Sequence, residues 1–153
     1  MTNAVEPKPE AVLFACNLNS VRSPMAGALM ALLYGQSVYV ETVGVEAREI
    51  DPFVVVVMAE RGIDVSNHLS KSFDMLTETT FDLIVCLTPE AQIAANELAR
   101  TQSLAVEYWP TSDPTHGTGS REQRLEAYRQ LCTELEGHLM ARFGTPDLRA
   151  HEG

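Results

Sequence analysis

The patterned part of the chain opens with an unbroken apolar run, Val12, Leu13, Phe14 and Ala15, of the kind a strand buried on both faces requires. After a seven-residue gap an alanine- and leucine-rich helical pattern follows, from Ser23-Pro24 to Tyr34-Gly35. Proline costs nothing in a first helical turn, where its missing N–H has no partner, and glycine suits the closing cap. Residues 37–43 alternate apolar and polar side chains and predict a more exposed strand. Residues 81–87 form the clearest buried strand, with 89–99 a helix and 104–108 a further short strand. Ser120 and Gln123 make a capping box. Beyond it Leu125, Tyr128, Leu131, Cys132, Leu135, Leu139 and Phe143 repeat at helical spacing, so a long amphipathic helix packs back on the sheet with Cys132 in the core. This alternation predicts a three-layer α/β/α domain with a central parallel sheet and a site outside the carboxyl ends of its strands. One segment is ambiguous. Asp51-Pro52 starts a helix well and Ala59-Glu-Arg-Gly62 ends one, yet Phe53-Val-Val-Val-Val-Met58 between them has the propensities of a buried strand.

Composition narrows the class. A chain of 153 residues, 45% hydrophobic, makes one domain with a sizeable core, expected over residues 10–144 between a loose tail at 1–9 and a C-terminal tail at 145–153. No stretch is long or apolar enough to span a membrane and the polar N-terminus is not a signal peptide, so a cytoplasmic protein is expected. Three irregularly spaced cysteines fit a reducing compartment rather than a disulfide framework or zinc site, and the four histidines show no ligand spacing. A net charge of −10 argues against nucleic acid or anionic lipid as a partner. No metal and no cofactor is expected.

The candidate chemistry lies in the gap between the first strand and the first helix, Cys16, Asn17, Leu18, Asn19, Ser20, Val21, Arg22 and Ser23. Successive backbone N–H groups in a tight loop form a nest for an anion, and the following helix adds the positive end of its dipole. Arg22 offers a planar fork to two phosphoryl oxygens, a geometry lysine lacks. The same donors stabilise a thiolate at Cys16, which makes it a nucleophile, and Ser23 is placed to donate to its sulfur. Asn19 tolerates a left-handed backbone and can tie the loop to its neighbours. A Cys-x5-Arg spacing arises by chance on the order of once in ten chains of this size. The strand before it, Ser-Pro after it and Asp113-Pro114 far downstream therefore carry the weight. Phosphoryl transfer to a thiolate needs an acid for the leaving oxygen and then a base for water, and Asp113 can serve as both. The plainer reading of Ser112-Asp113-Pro114-Thr115 is a turn.

The segment Val-Leu-Phe-Ala-Cys16-x5-Arg22-Ser-Pro-Met-Ala resembles the opening of the low-molecular-weight protein tyrosine phosphatases and of the arsenate reductases that share their fold. The likeness runs from about Glu10 to Phe143. It implies a central sheet of four parallel strands, a helix at residues 53–58, and catalytic roles for Cys16, Arg22 and Asp113. It also implies that Thr42 supplies a hydroxyl near the loop and that His68 supports Asn19, an exposed loop histidine being the alternative. The implied activity is a phosphomonoester phosphatase, acting on a phosphorylated protein or a small phosphomonoester through a cysteinyl-phosphate. Relatives usually carry Gly where this chain has Leu18, and many a second Cys where it has Val21. Phosphotyrosine-selective relatives place aromatics where this chain has Thr115-His116 and Glu46-Ala47-Arg48.

Two rivals stand. An arsenate reductase would use the same Cys16 on an oxyanion nearly isosteric with phosphate. Thioredoxin-coupled members relay oxidation through two later cysteines, but Thr88 occupies the first of those positions; Cys86 two residues earlier reads as a buried apolar cysteine or, less simply, a shifted relay. A reductase served by an external thiol needs only Cys16. The other rival is a non-catalytic oxyanion-binding module. The oligomeric state is left open.

Overall fold

The computed structural model of the chain describes residues 9–77 and 80–147. Its elements are β1 Ala11–Cys16, α1 Arg22–Tyr34, β2 Tyr39–Gly44, α2 Pro52–Glu60, β3 Leu83–Cys86, α3 Pro89–Ala99, β4 Ala105–Tyr108 and α4 Arg121–Phe143, with 3-10 turns at Phe73–Met75 and Pro114–His116. The sheet is four-stranded and parallel in the order β2-β1-β3-β4. Parallel strands need helical crossovers, and those crossovers cover both faces. Along β1, Val12, Phe14 and Cys16 face the layer of α1, α2 and α4, whereas Leu13 and Ala15 face α3 and the turn at Phe73. All five are buried, which explains the run of apolar residues where an exposed sheet would alternate. The winding reverses between β1 and β3, so the loops after these strands part and leave a crevice at their carboxyl ends.

The long helix α4 begins at the expected box, Ser120 accepting from Gln123 N–H while Gln123 reaches back to Ser120 N–H. The seven apolar residues of its stripe are buried, each Leu or Phe worth about 1.5–3 kcal/mol relative to exposure. The valine run is helical, as the family resemblance implied and against its strand propensity. Asp51 caps it through Phe53 N–H at 2.8 Å, Pro52 presets the first turn, and Val54, Val57 and Met58 are buried in the α4 layer. Burial on a helical period outweighs the few tenths of a kcal/mol that β-branching costs each residue.

Two expectations need adjustment. α1 starts at Arg22, ahead of the Ser-Pro pair, and Val21 gives it no side-chain cap. Gly35 does not close α1 in a left-handed conformation; its φ is −67° and its N–H simply continues the helix to Ala31 O. The expected tails fall mostly on residues outside those described; of the second, Asp147 donates its N–H to Leu33 O at 2.7 Å and accepts from Ser37 Oγ at 2.9 Å. Among the described residues no helix is long and apolar enough to cross a membrane.

Candidate active site

The loop between β1 and α1 is pinned from outside by the segment that follows β2. Val45, Glu46, Arg48 and Asp51 donate their N–H groups to the carbonyls of Cys16, Asn17, Leu18 and Ser20, at 2.8 to 3.1 Å. With its carbonyls engaged there, the loop keeps its own N–H groups for the crevice: those of Leu18, Asn19, Ser20 and Val21 meet no protein acceptor among the described residues. Unengaged N–H groups in a row are what an anion nest requires. Asn19 takes the left-handed step, φ 53°, as the one non-glycine residue with positive φ among those described. Leu18 keeps ordinary backbone and turns its side chain partly outward, so glycine is not required there. The tight approach falls instead at Gly44, where a Cβ would lie 2.5 Å from Asn19 N.

Asn19 is fully buried and serves as the hub of the loop. Lys71 N–H can only donate, so the amide atom facing it at 2.9 Å is Oδ1. Nδ2 then donates to Ser23 Oγ at 2.8 Å and Thr42 Oγ1 at 3.0 Å. His68 Nε2 stands 3.2 Å from Oδ1 and 3.3 Å from Asn19 O, both acceptors, so Nε2 carries the proton. Ser70 Oγ donates to the same carbonyl at 2.8 Å. Burial lowers the His68 pKa from its ordinary value and favours the neutral ring. Since Ser23 Oγ receives from Asn19, its one proton has two acceptors, Val43 O at 3.1 Å and Cys16 Sγ at 3.0 Å. Ser23 N–H also donates to that sulfur, at 3.4 Å. The Asn19 network thus aims a hydroxyl and an amide at Cys16.

Arg22, at the first position of α1, reaches across to the loop after β4. Its Nη1 donates to Thr111 O at 3.2 Å and its Nη2 lies 3.8 Å from Asp113 Oδ2. That loop hangs from Trp109, which is buried against Phe14 and stacked on His138, and from Ser112, which donates to Glu134 at 2.7 Å. Trp109 is therefore an anchor in the core rather than a wall of the site. Asp113 Oδ1 accepts from Thr115 N–H at 2.9 Å and Thr115 Oγ1 at 2.6 Å, while His116 Nε2 lies 3.2 Å from Oδ2. Partial burial pushes the Asp113 carboxyl up, but the Thr115 hydrogen bonds and the charges of Arg22 and His116 outweigh it. The net effect holds Asp113 below the ordinary carboxylate range.

Cys16, Asn17, Leu18, Ser20, Val21, Arg22, Asp51, Asp113 and Thr115 line one cleft of about 270 Å³. The structure thus gathers the expected nucleophile, clamp and acid, with Asn19, Ser23, Thr42 and His68 as the support behind them. No lining side chain is aromatic. Glu46 and Arg48 pair with each other outside the cleft, and His116 contacts the acid. Two participants were missed. Thr88 donates to Asn17 Oδ1 at 2.6 Å while capping α3 through Ala91 N–H; in the sequence it stood out only as the residue in place of a relay cysteine. Asp51 lines the cleft and accepts from Tyr128 Oη at 2.8 Å, a link between segments 77 residues apart. Cys86 pairs in register with Ala15 and lies in the α3 layer, across the sheet from Cys16; burial pushes its thiol up to about 12. Cys132 is core, its thiol pushed up to about 11. Among the described residues no group of three or more His, Cys, Asp or Glu side chains is arranged to hold a metal.

Known proteins are similar to this chain in sequence and fold. The chain is 30% identical over 129 residues to an arsenate reductase of Bacillus subtilis strain 168, covering 84% of this chain and 91% of that protein. It is 33% identical over 114 residues to arsenate reductase 2 of Staphylococcus epidermidis, covering 74% and 86%. Among solved structures, the YwlE arginine phosphatase of Geobacillus stearothermophilus superposes with a TM-score of 0.71 at 25% identity, over 89% of this chain and 91% of that one. The arsenate reductase of Archaeoglobus fulgidus gives 0.67 at 26%, over 87% and 98%. A model of the low molecular weight phosphotyrosine protein phosphatases matches residues 11–143, nearly the whole described fold. The chain belongs to the low molecular weight phosphotyrosine protein phosphatase family.

Proposed function

We propose that this chain is a phosphomonoester phosphatase of the cytoplasm, acting on phosphorylated protein and in the first place on phosphotyrosine, the substrate class in its family's description. The observation that carries the reading is one cleft holding the Cys16 sulfur at its base and, at its rim, the Asp113 carboxylate 3.8 Å from the Arg22 guanidinium. A phosphoryl group seated in the nest and gripped by Arg22 presents its phosphorus to the thiolate. The S–P bond forms as the P–O bond to the leaving group breaks, and Asp113 gives that oxygen its proton. Asp113 then takes a proton from water, which attacks the thiophosphate and frees phosphate and thiolate. In the empty cleft Asp113 is held ionised. A bound phosphoryl dianion occupies Arg22 and adds negative charge nearby, and both changes raise the carboxyl so that it holds the proton it delivers.

The second reading, arsenate reduction by Cys16 with an external thiol, is supported by the names of the relatives. A relay through Cys86 is disfavoured by its position across the sheet and its raised pKa. The pairing of Cys16 with Ser23 and of Arg22 with Asp113, at one cleft, speaks against a purely binding module. The test is turnover of an aryl phosphate and of arsenate side by side, the latter with several thiol donors. Phosphatase turnover that Cys16→Ser abolishes while vanadate still binds, and that Arg22→Lys severely impairs, is expected. Near-normal turnover in Cys16→Ser refutes the reading, and arsenate turnover without aryl phosphate hydrolysis gives the site to the rival.

A further inference from the structure

Every described arginine and lysine reaches a carboxylate except two, Arg121 and Arg124. In a chain of net charge −10 such isolation has a structural cause. Residues 121, 124 and 128 share one face of α4, while Glu122, Glu126 and Arg129 share another. There Arg129 gathers Glu122 at 2.5 Å and Glu126 at 3.3 Å, and from α2 Glu60 at 2.9 Å. The nearby acids are therefore spent, and the other face keeps two free cations beside the positive end of the helix.

Both cations are held over one ring. Arg124 lies 4.8 Å and Arg121 5.8 Å from the centroid of Phe53, whose edge-on neighbour at 5.3 Å is Tyr128. A guanidinium stacked on a ring keeps its in-plane N–H donors at its edge, open to an incoming carboxylate. Tyr128 donates to Asp51, and Asp51 lines the cleft with Cys16 and Arg22, so the platform adjoins the rim of the site.

We propose that Arg121 and Arg124 on Phe53 form a docking surface for acidic residues flanking the phosphorylated side chain, so that the favoured substrates are acidic phosphoprotein segments. This rests on the phosphatase reading and adds the selection that a cleft without aromatic walls does not supply.

The experiment measures binding of three fluorescent phosphotyrosyl peptides, with acidic, neutral or basic flanks, to Cys16→Ser protein at low salt. The worth of two exposed ion pairs sets the expected preference for the acidic over the neutral peptide at about threefold to tenfold. It should shrink with added salt, vanish in an Arg121→Gln, Arg124→Gln background and return in part with lysine at both positions. Equal affinity for acidic and neutral peptides, preference for the basic one, persistence in the glutamine background, or no binding of any peptide overturns the proposal. Hydrolysis of an aryl phosphate by the unmutated protein, run in parallel, tests the phosphatase reading separately. Failure there with the acidic preference intact removes that reading and leaves the docking surface.

Discussion

Replacing Asn19 tests how the loop is built. In Asn19→Ala the side chain's links to Lys71 N–H, His68, Ser23 and Thr42 all disappear. The Ser23 and Thr42 hydroxyls can turn to other partners, so those two losses belong at the low end of about 0.5–1.5 kcal/mol each. Lys71 N–H keeps no partner and costs about 1–2 kcal/mol. Alanine at φ 53° adds about 1 kcal/mol, because its Cβ crowds the following carbonyl without a polar side chain to compensate. The sum is about 3–4 kcal/mol, a large share of a domain stability of about 5–15 kcal/mol. Asn19→Asp separates structure from chemistry. It keeps the acceptor for Lys71 and tolerates the backbone, so it should lose only about 1–2 kcal/mol. Its carboxylate, however, draws the Ser23 proton away from the sulfur and sets a negative charge behind Cys16, so activity should fall at least about tenfold. Stability is read by urea unfolding, followed through the single, buried Trp109. An alanine variant within about 1 kcal/mol of the parent, or an aspartate variant of full activity, refutes the account of Asn19 as the hub.

Asp113→Asn should slow a poor leaving group more than an activated nitrophenolate by about 10²-fold or more, since only the poor one needs the proton; equal loss on both substrates would mean that Asp113 only positions the loop. His68 has a folded pKa below its ordinary 6.5, so the folded chain resists protonation there. Its contribution to stability is complete above pH 6.5 and is lost as the pH falls from 6.5 toward the folded value; urea titrations at stepped pH should show this loss, and His68→Gln should remove it. Cys86 and Cys132, raised to about 12 and 11, should resist iodoacetamide at pH 8 while Cys16 reacts and phosphate protects it. Mass mapping of the alkylated peptides decides this, and rapid labelling of Cys86 in the folded protein would contradict its burial.

Local chemistry was legible in the sequence where partners are close along the chain. The Cys16 to Ser23 loop, the box at Ser120 and the apolar stripe of α4 all draw on residues within two turns of one another. Long-range contacts were hidden. Thr88 stands out in the sequence only as the residue in place of a relay cysteine, until the parallel register of β1 and β3 carries it beside Asn17. Tyr128 reads as an ordinary stripe residue, and its hydroxyl on Asp51 depends on α2 and α4 packing together. Four consecutive valines carry a strand preference that burial of Val54, Val57 and Met58 on a helical period overrides, which no local rule anticipates. Gly35 illustrates the opposite case, a residue able to adopt the left-handed cap in a place where the chain does not use it.

The two halves of the chemistry are mounted on ground of unequal firmness. β1 is an interior strand with sheet partners on both sides near its carboxyl end: Cys16 is in register with Gly44, Ala15 with Cys86, and Leu87 and Val45 clamp the carbonyls of Ala15 and Cys16. Opening the strand that carries the sulfur means opening the sheet, so its amides should exchange with solvent only through global unfolding. Asp113 stands instead on an exposed 3-10 turn beyond an edge strand, tied down by Thr115, Arg22 and the anchors at Trp109 and Ser112. Mild denaturant or heat should therefore release the acid before the nucleophile. In that window the protein would still accept a phosphoryl group from an activated ester yet fail on an unactivated one, so its apparent specificity would narrow before the fold is lost.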